Sequence, residues 1–146
     1  MAYVIGVDCG TSGTKTVLFQ EDGTVMASAT VEYPMYQPKN GYAEQDPADW
    51  KNAMIQTIQT VVRKSGVPKE EIKGIGISGQ MHGLVMLDQD NQVLRKSIIW
   101  CDQRTAAEVD EMNRVVGREK LMEITANPAL TGWTAAKILW VRNNEP

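Results

Sequence analysis

The chain has 146 residues, 42% of them hydrophobic and 23% charged, the composition of a globular protein rather than a disordered or fibrous one. Its length suits one domain of ordinary size, able to bury roughly 70% of the surface its unfolded form exposes. A net charge of −3 with no basic tail or patch argues against non-specific binding to nucleic acid or to an anionic membrane.

Tyr3 to Asp8 is short, apolar and β-branched, which predicts a buried strand. Asp8 interrupts this early apolar run, and no basic segment precedes it, so it does not read as a signal peptide. A turn follows, and Thr16 to Phe19 continues as a second strand. Asp22-Gly23 is a hairpin signal. Val25, Ala27, Ala29, Val31 and Tyr33 then alternate with Met26, Ser28, Thr30 and Glu32, the period of a half-buried strand. The chain therefore opens as an antiparallel meander with no helix after the first strand.

Pro34 to Asp46 reads as a loop. Asp46 and Pro47 form a helix start, as N-cap and first helical residue. Trp50, Met54, Ile58, Val61 and Val62 fall on one face, and Ser65 to Pro68 stops the helix. Ile72–Ser78, Leu84–Leu87 and Ser97–Trp100 are predicted strands, with a turn at Asp88–Asn91. Ala106, Val109, Met112 and Val116 predict a helical face ended by Gly117. A short helix follows around Leu121 and Ile124, and a last one, capped by Thr131, runs to Val141. No apolar run reaches the length of a membrane span. Two distant cysteines, Cys9 and Cys101, lack metal or redox spacing and read as reduced thiols of a cytoplasmic protein.

The first chemistry lies in Asp8-Cys9-Gly10-Thr11-Ser12-Gly13-Thr14-Lys15. Glycines let a backbone approach a phosphate closely, consecutive N–H groups form an anion nest, and hydroxyls and an ammonium complete the donors. Thr11, Ser12 and Thr14 are candidate donors, Lys15 the cation, and Asp8 the candidate ligand of Mg²⁺, held partly through water. The plainer alternative is a hairpin turn with solvated hydroxyls. This is not a Walker A loop, because Thr14 precedes the lysine and a strand follows. Gly74-Ile75-Gly76-Ile77-Ser78-Gly79 matches the dinucleotide fingerprint by letter only, since the motif itself is the strand.

Two further clusters stand between strands. Gln80-Met81-His82-Gly83 holds the chain's single histidine, beside an amide that suits a polyhydroxylated ligand. His82 is otherwise a packed or capping residue. In Trp100-Cys101-Asp102-Gln103-Arg104, Trp100 offers a flat apolar face to a ligand or to the core. Asp102 accepts from hydroxyls or caps the next helix, and Arg104 pairs with Asp102 or with a substrate.

The loop from Asp8 to Lys15 resembles the first phosphate loop of the actin/hexokinase/Hsp70 fold, and within that group the FGGY carbohydrate kinases. Residues 80–83 and 100–104 are similar to those of the xylulokinases among them, as is Thr131 to Trp140, except that Ala136 stands where proline is expected. The resemblance covers essentially the whole chain. It implies an α/β, RNase H-like domain, a mixed sheet flanked by helices, forming the N-terminal part of a two-domain enzyme. It implies ATP and Mg²⁺ as cofactors and in-line phosphoryl transfer to D-xylulose, with Gly10 to Lys15 on the phosphates. By the same resemblance Met81, His82, Trp100 and Asp102 line the sugar site, joined by Gln80 and Arg104 from the reading above. The family's catalytic base lies beyond this length, so residues 1–146 alone are expected not to turn over. They are also expected to present an apolar face that favours self-association, as in a homodimer. Other FGGY substrates (ribulose, gluconate) and a non-catalytic sugar- or phosphate-binding domain are the alternatives.

Overall fold

The computed structural model describes residues 1–146. Where length alone suggests one domain, the chain forms two compact units: Met1–Met35 with Asp46–Gln80, and Tyr36–Gln45 with Met81–Pro146.

The first unit is built on β1 (Tyr3–Cys9), β2 (Gly13–Gln20) and β3 (Val25–Glu32), the predicted meander. After helix α1 (Pro47–Ser65), β5 (Ile72–Gly79) joins β1 in parallel, completing the sheet order β3-β2-β1-β5. A parallel neighbour requires a crossover, and α1 supplies it. The helix begins as the sequence predicts: Asp46 Oδ1 accepts from the Ala48 N–H at 2.9 Å, and Pro47 occupies the first turn. It ends at Gly66, whose φ of 67° lies in the left-handed region. Alternation turns Tyr3, Ile5 and Val7 of β1 and Leu18 of β2 toward Val61 of α1, forming the core. Met54, Ile58 and Val62 pack around it. The opposite face of the strands carries Gly6, Asp8, Lys15, Val17, Phe19, Gly76 and Ser78, which line an open groove of ≈ 520 Å³.

One polar pair lies within the core. Thr16 Oγ1 and Thr57 Oγ1 are 2.7 Å apart, both residues fully buried, and Thr57 also donates to the Met54 carbonyl at 3.1 Å. Thr57→Val strands the Thr16 hydroxyl and is expected to cost about 1–3 kcal/mol in urea denaturation, whereas the Thr16→Val/Thr57→Val double variant recovers most of the loss. Equal losses in the single and double variants would refute the coupling.

The second unit departs further from expectation. β4 (Glu44–Gln45) pairs antiparallel with β6 (Ser97–Ile98), and both strands have two residues. The predicted strand Ser97–Trp100 is cut short because the chain turns after Ile99, which still donates to the Ala43 carbonyl at 3.1 Å while its own carbonyl accepts the Asp102 N–H at 3.1 Å. Leu84–Leu87 forms no strand. Leu84 makes a single bridge to Ile98 and Leu87 one to Val93. The turn between them is drawn in by Asp88 Oδ1, which accepts from the Asp90 and Gln92 N–H groups at 2.9 and 2.8 Å. Helices α2 (Ala106–Val115), α3 (Arg118–Thr125) and α4 (Thr134–Asn144) follow. The buried residue of α2 is Glu108 rather than the predicted Ala106 or Val116, both of which are exposed. Thr131 does not cap α4. Its hydroxyl bonds Gln103 Oε1 at 2.9 Å, and Trp133 occupies the N-cap position without a side-chain bond.

Candidate functional site

In the first unit the loop is a tight turn between two strands, with no helix after it. The Gly10 N–H donates to the Gly13 carbonyl at 3.0 Å, leaving Thr11 and Ser12 at the tip. β2 starts at Gly13, three residues earlier than predicted, so strand alternation sorts the loop's side chains. Lys15 is exposed and lies opposite Asp8 in the ladder, also exposed, and both line the open groove. Thr14 points the other way. It is fully buried with its hydroxyl 3.4 Å from Tyr33 Oη, so its side chain is not a phosphate donor, a correction to the sequence reading. Gly13 has a different reason to be glycine as well. A Cβ there would lie 2.7 Å from the Val31 carbonyl oxygen, so close strand packing requires it.

Tyr33, which sequence reading placed only in the strand alternation, holds the turn from beneath. Its hydroxyl donates to the Gly10 carbonyl at 2.5 Å and lies 3.6 Å from Cys9 Sγ. Burial pushes its pKa up to about 12, so the phenol stays protonated and keeps that bond. Asp8 has no neighbouring cluster of metal-binding side chains. A lone carboxylate at a strand end suits Mg²⁺ that retains waters and takes its other ligands from phosphates.

Gln80 closes the first unit, its N–H bonded to the Cys9 carbonyl at 3.0 Å. Met81 begins the second. There Met81 is 71% exposed, Trp100 48% exposed, and His82 open to solvent. The His82 ring stacks on Trp133, with centroids 5.5 Å apart and planes at 21°. The backbone of His82 has φ 63°, a left-handed conformation costly for a non-glycine residue. Its carbonyl accepts from Lys137 Nζ at 2.6 Å and from Thr134 Oγ1 at 3.3 Å.

Asp102 and Arg104 behave differently from the exposed three. Asp102 is completely buried: Oδ1 accepts the Arg104 N–H at 2.9 Å and Oδ2 the Ala43 N–H at 2.6 Å. The Arg104 guanidinium forks onto the same carboxylate and reaches Glu44 Oε1 at 2.8 Å. The Tyr42 and Trp140 rings cover it at 3.8 and 4.8 Å. Burial opposes its charge, but the bonds to Asp102 and Glu44 outweigh that and raise its pKa above the ordinary value. Of the alternatives open in the sequence, Arg104 pairs with Asp102, whereas Asp102 does not cap α2, whose N-cap position is Thr105 without a side-chain bond. Both the Arg104 and the Asp102 side chains are almost completely buried.

These features match one family model across residues 3–146, described as the FGGY family of carbohydrate kinases, N-terminal domain. The chain belongs to the FGGY family. It is 47% identical over its full length to a xylulose kinase of Bacillus subtilis, of which it spans 29%. Among solved structures, the xylulose kinase of Brucella ovis (37% identity, TM-score 0.91) matches 98% of the chain, which covers 30% of that protein. The gluconate kinase of Lactobacillus acidophilus (32% identity, TM-score 0.90) matches 99%, with 29% of that protein covered. The chain thus spans under a third of these FGGY kinases, and the α/β fold with its mixed sheet is theirs.

The segment where Ala136 stands in place of an expected proline opens the last helix. Ala136 lies in the first turn of α4, where a backbone N–H has no helical partner, so either residue fits. The next residue, Lys137, is fully buried, and burial lowers its pKa from 10.5 to about 8 against the pull of Asp102 and Cys101. Since the folded value lies below the unfolded one, the native state sheds this proton first. Lys137 should therefore make stability rise as pH climbs from about 8 toward 10.5, a slope that Lys137→Met removes from urea titrations.

Proposed function

We propose that this chain is the N-terminal part of an ATP-dependent kinase that converts D-xylulose to D-xylulose 5-phosphate. The observation that carries the nucleotide half is the ladder pairing of Asp8 with Lys15 at the mouth of a glycine-flanked turn. An anion ligand for Mg²⁺ and a cation for phosphate oxygens stand side by side, with Ser12 exposed at the tip. Gly10 to Gly13 offer close backbone approach, and Tyr33 keeps the turn rigid. ATP with Mg²⁺ would supply the transferable phosphoryl group there. The chain's own residues bind, orient and neutralise charge, which is most of what phosphoryl transfer asks of a protein.

The xylulose assignment draws on the identity to the Bacillus subtilis xylulose kinase. Met81, His82 and Trp100 are the residues that face the sugar. An imidazole offers a hydrogen bond to a hydroxyl, and an indole packs against the apolar face of a polyol. Asp102 and Arg104, bonded to each other and to Ala43 and Glu44, hold the segment that follows Trp100. None of the candidate aspartates serves as the base for the attacking hydroxyl. Asp88 is committed to its own turn and Asp102 to Arg104. That base comes from residues outside these 146. No helix is long and apolar enough to cross a membrane. With its two free cysteines the protein fits a reducing, cytoplasmic setting.

The equally close fold of a gluconate kinase keeps gluconate as the competing substrate. Isothermal titration of the chain with D-xylulose, D-ribulose and gluconate separates them. D-Xylulose is expected to bind at least about tenfold more tightly than either, a difference of about 1.4 kcal/mol. Preference for gluconate would replace the sugar assignment, and binding of none would reject it.

A further inference from the structure

We infer that Lys137 is the positioning residue of the sugar-facing loop, tying His82 to the segment that supports Trp100. The inference rests on the sugar-kinase reading for what the loop faces, but its geometry stands independently.

Lys137 is fully buried on α4, an unusual place for an ammonium unless its donors are engaged. Two are engaged, with the carbonyls of His82 and Gly132, each at 2.6 Å. These acceptors lie on separate loops. Gly132 is pressed against a third segment: a Cβ on it would sit 2.6 Å from the Trp100 carbonyl oxygen. One side chain thus joins the loop bearing Met81 and His82 to the loop lying against Trp100. The His82 backbone sits in the left-handed region, and its carbonyl is the atom that Lys137 and Thr134 hold. The same clamp sets the ring against Trp133, which follows Gly132 directly. An anchored carbonyl and a stacked ring leave the imidazole little freedom to turn. Preorganisation of this kind is what a site needs to orient one hydroxyl.

His82 is the chain's single histidine, so its ring resonances report the loop without ambiguity. In the unmodified chain, the imidazole protons should show a ring-current displacement from Trp133. The backbone carbonyl ¹³C resonances of His82 and Gly132 should also move together with one midpoint, near pH 8, as Lys137 loses its charge. The other groups facing Lys137 are Asp102, Arg104 and the Cys101 thiol, which burial holds above its ordinary 9.0. In Lys137→Met the ring displacement should vanish and D-xylulose affinity should fall at least about tenfold. A folded Lys137→Met chain with unchanged His82 resonances overturns the inference. So do His82 and Gly132 carbonyls that titrate independently in the unmodified chain, a readout that stands if the variant fails to fold. If the carbonyls move together but D-xylulose does not bind, the sugar-kinase reading fails and the clamp remains.

Discussion

Arg104→Ala is expected to lower the stability of the second unit by about 3–5 kcal/mol, a large share of the roughly 5–15 kcal/mol that holds a domain folded. The loss comes mainly from what is left behind. Asp102 would remain completely buried with a negative charge, having lost every guanidinium bond and keeping only backbone N–H donors. Glu44 would keep Arg95 at 2.6 Å but lose its second cation. The Tyr42 and Trp140 rings, set edge to face with centroids 6.1 Å apart, would lose the guanidinium packed against both, leaving a cavity. Arg104→Lys should recover only part, since an ammonium cannot fork onto one carboxylate while stacking on a ring. Urea denaturation followed by tryptophan fluorescence measures both. If Arg104 instead contacted substrate, the alanine variant would hold its stability and lose only sugar affinity. A destabilisation under about 1 kcal/mol would therefore count against the structural role.

This cluster also shows where the sequence stops being informative. The caps of α1 are legible because cap chemistry is local: an aspartate, a proline and a glycine within one helix length. The meander is legible because alternation is local, and for the same reason β5 is recognisable as a strand that merely spells a dinucleotide motif. The brace around Arg104 joins residues far apart in sequence, 51 positions for Arg95 with Glu44 and 59 for Ala43 with Asp102, and no periodicity encodes it. Lys137 is hidden for a related reason. On a helix whose neighbours are alanine and isoleucine it looks like a solvated charge, and only the carbonyl of His82, 55 positions away, makes it a buried one. Thr14 was within reach of sequence reasoning. Starting β2 at Gly13 would have placed Thr14 and Thr16 on one face and Lys15 on the other. Three hydroxyls in one loop are equivalent only until the strand's register is fixed. Of the predicted sugar residues, the structure leaves Met81, His82 and Trp100 open to solvent and withdraws Asp102 and Arg104.

Asp8→Asn is expected to reduce Mg²⁺-dependent phosphoryl transfer on the order of 10³-fold in a full-length kinase carrying these residues at its N-terminus. Asparagine keeps the size and ladder pairing of Asp8, so β1 and the turn should be unchanged. Asp8 is exposed and its cross-strand neighbour is a lysine, an arrangement worth at most about 1 kcal/mol to folding. The charge matters to chemistry instead. A divalent ion beside transferring phosphoryl oxygens contributes several kcal/mol of charge stabilisation, and each 1.36 kcal/mol is about tenfold in rate. D-Xylulose affinity, which the proposal assigns to His82 and Trp100, should stay within about twofold. Lys15→Ala should raise KM for ATP more than it lowers kcat, because the proposal gives this cation to the phosphates before and during transfer alike. The decisive measurement is ADP release against Mg²⁺ concentration for the three proteins. If Asp8→Asn turns over within a few-fold of the unsubstituted enzyme at saturating Mg²⁺, the metal role passes to another residue and the turn is left as a plain hairpin.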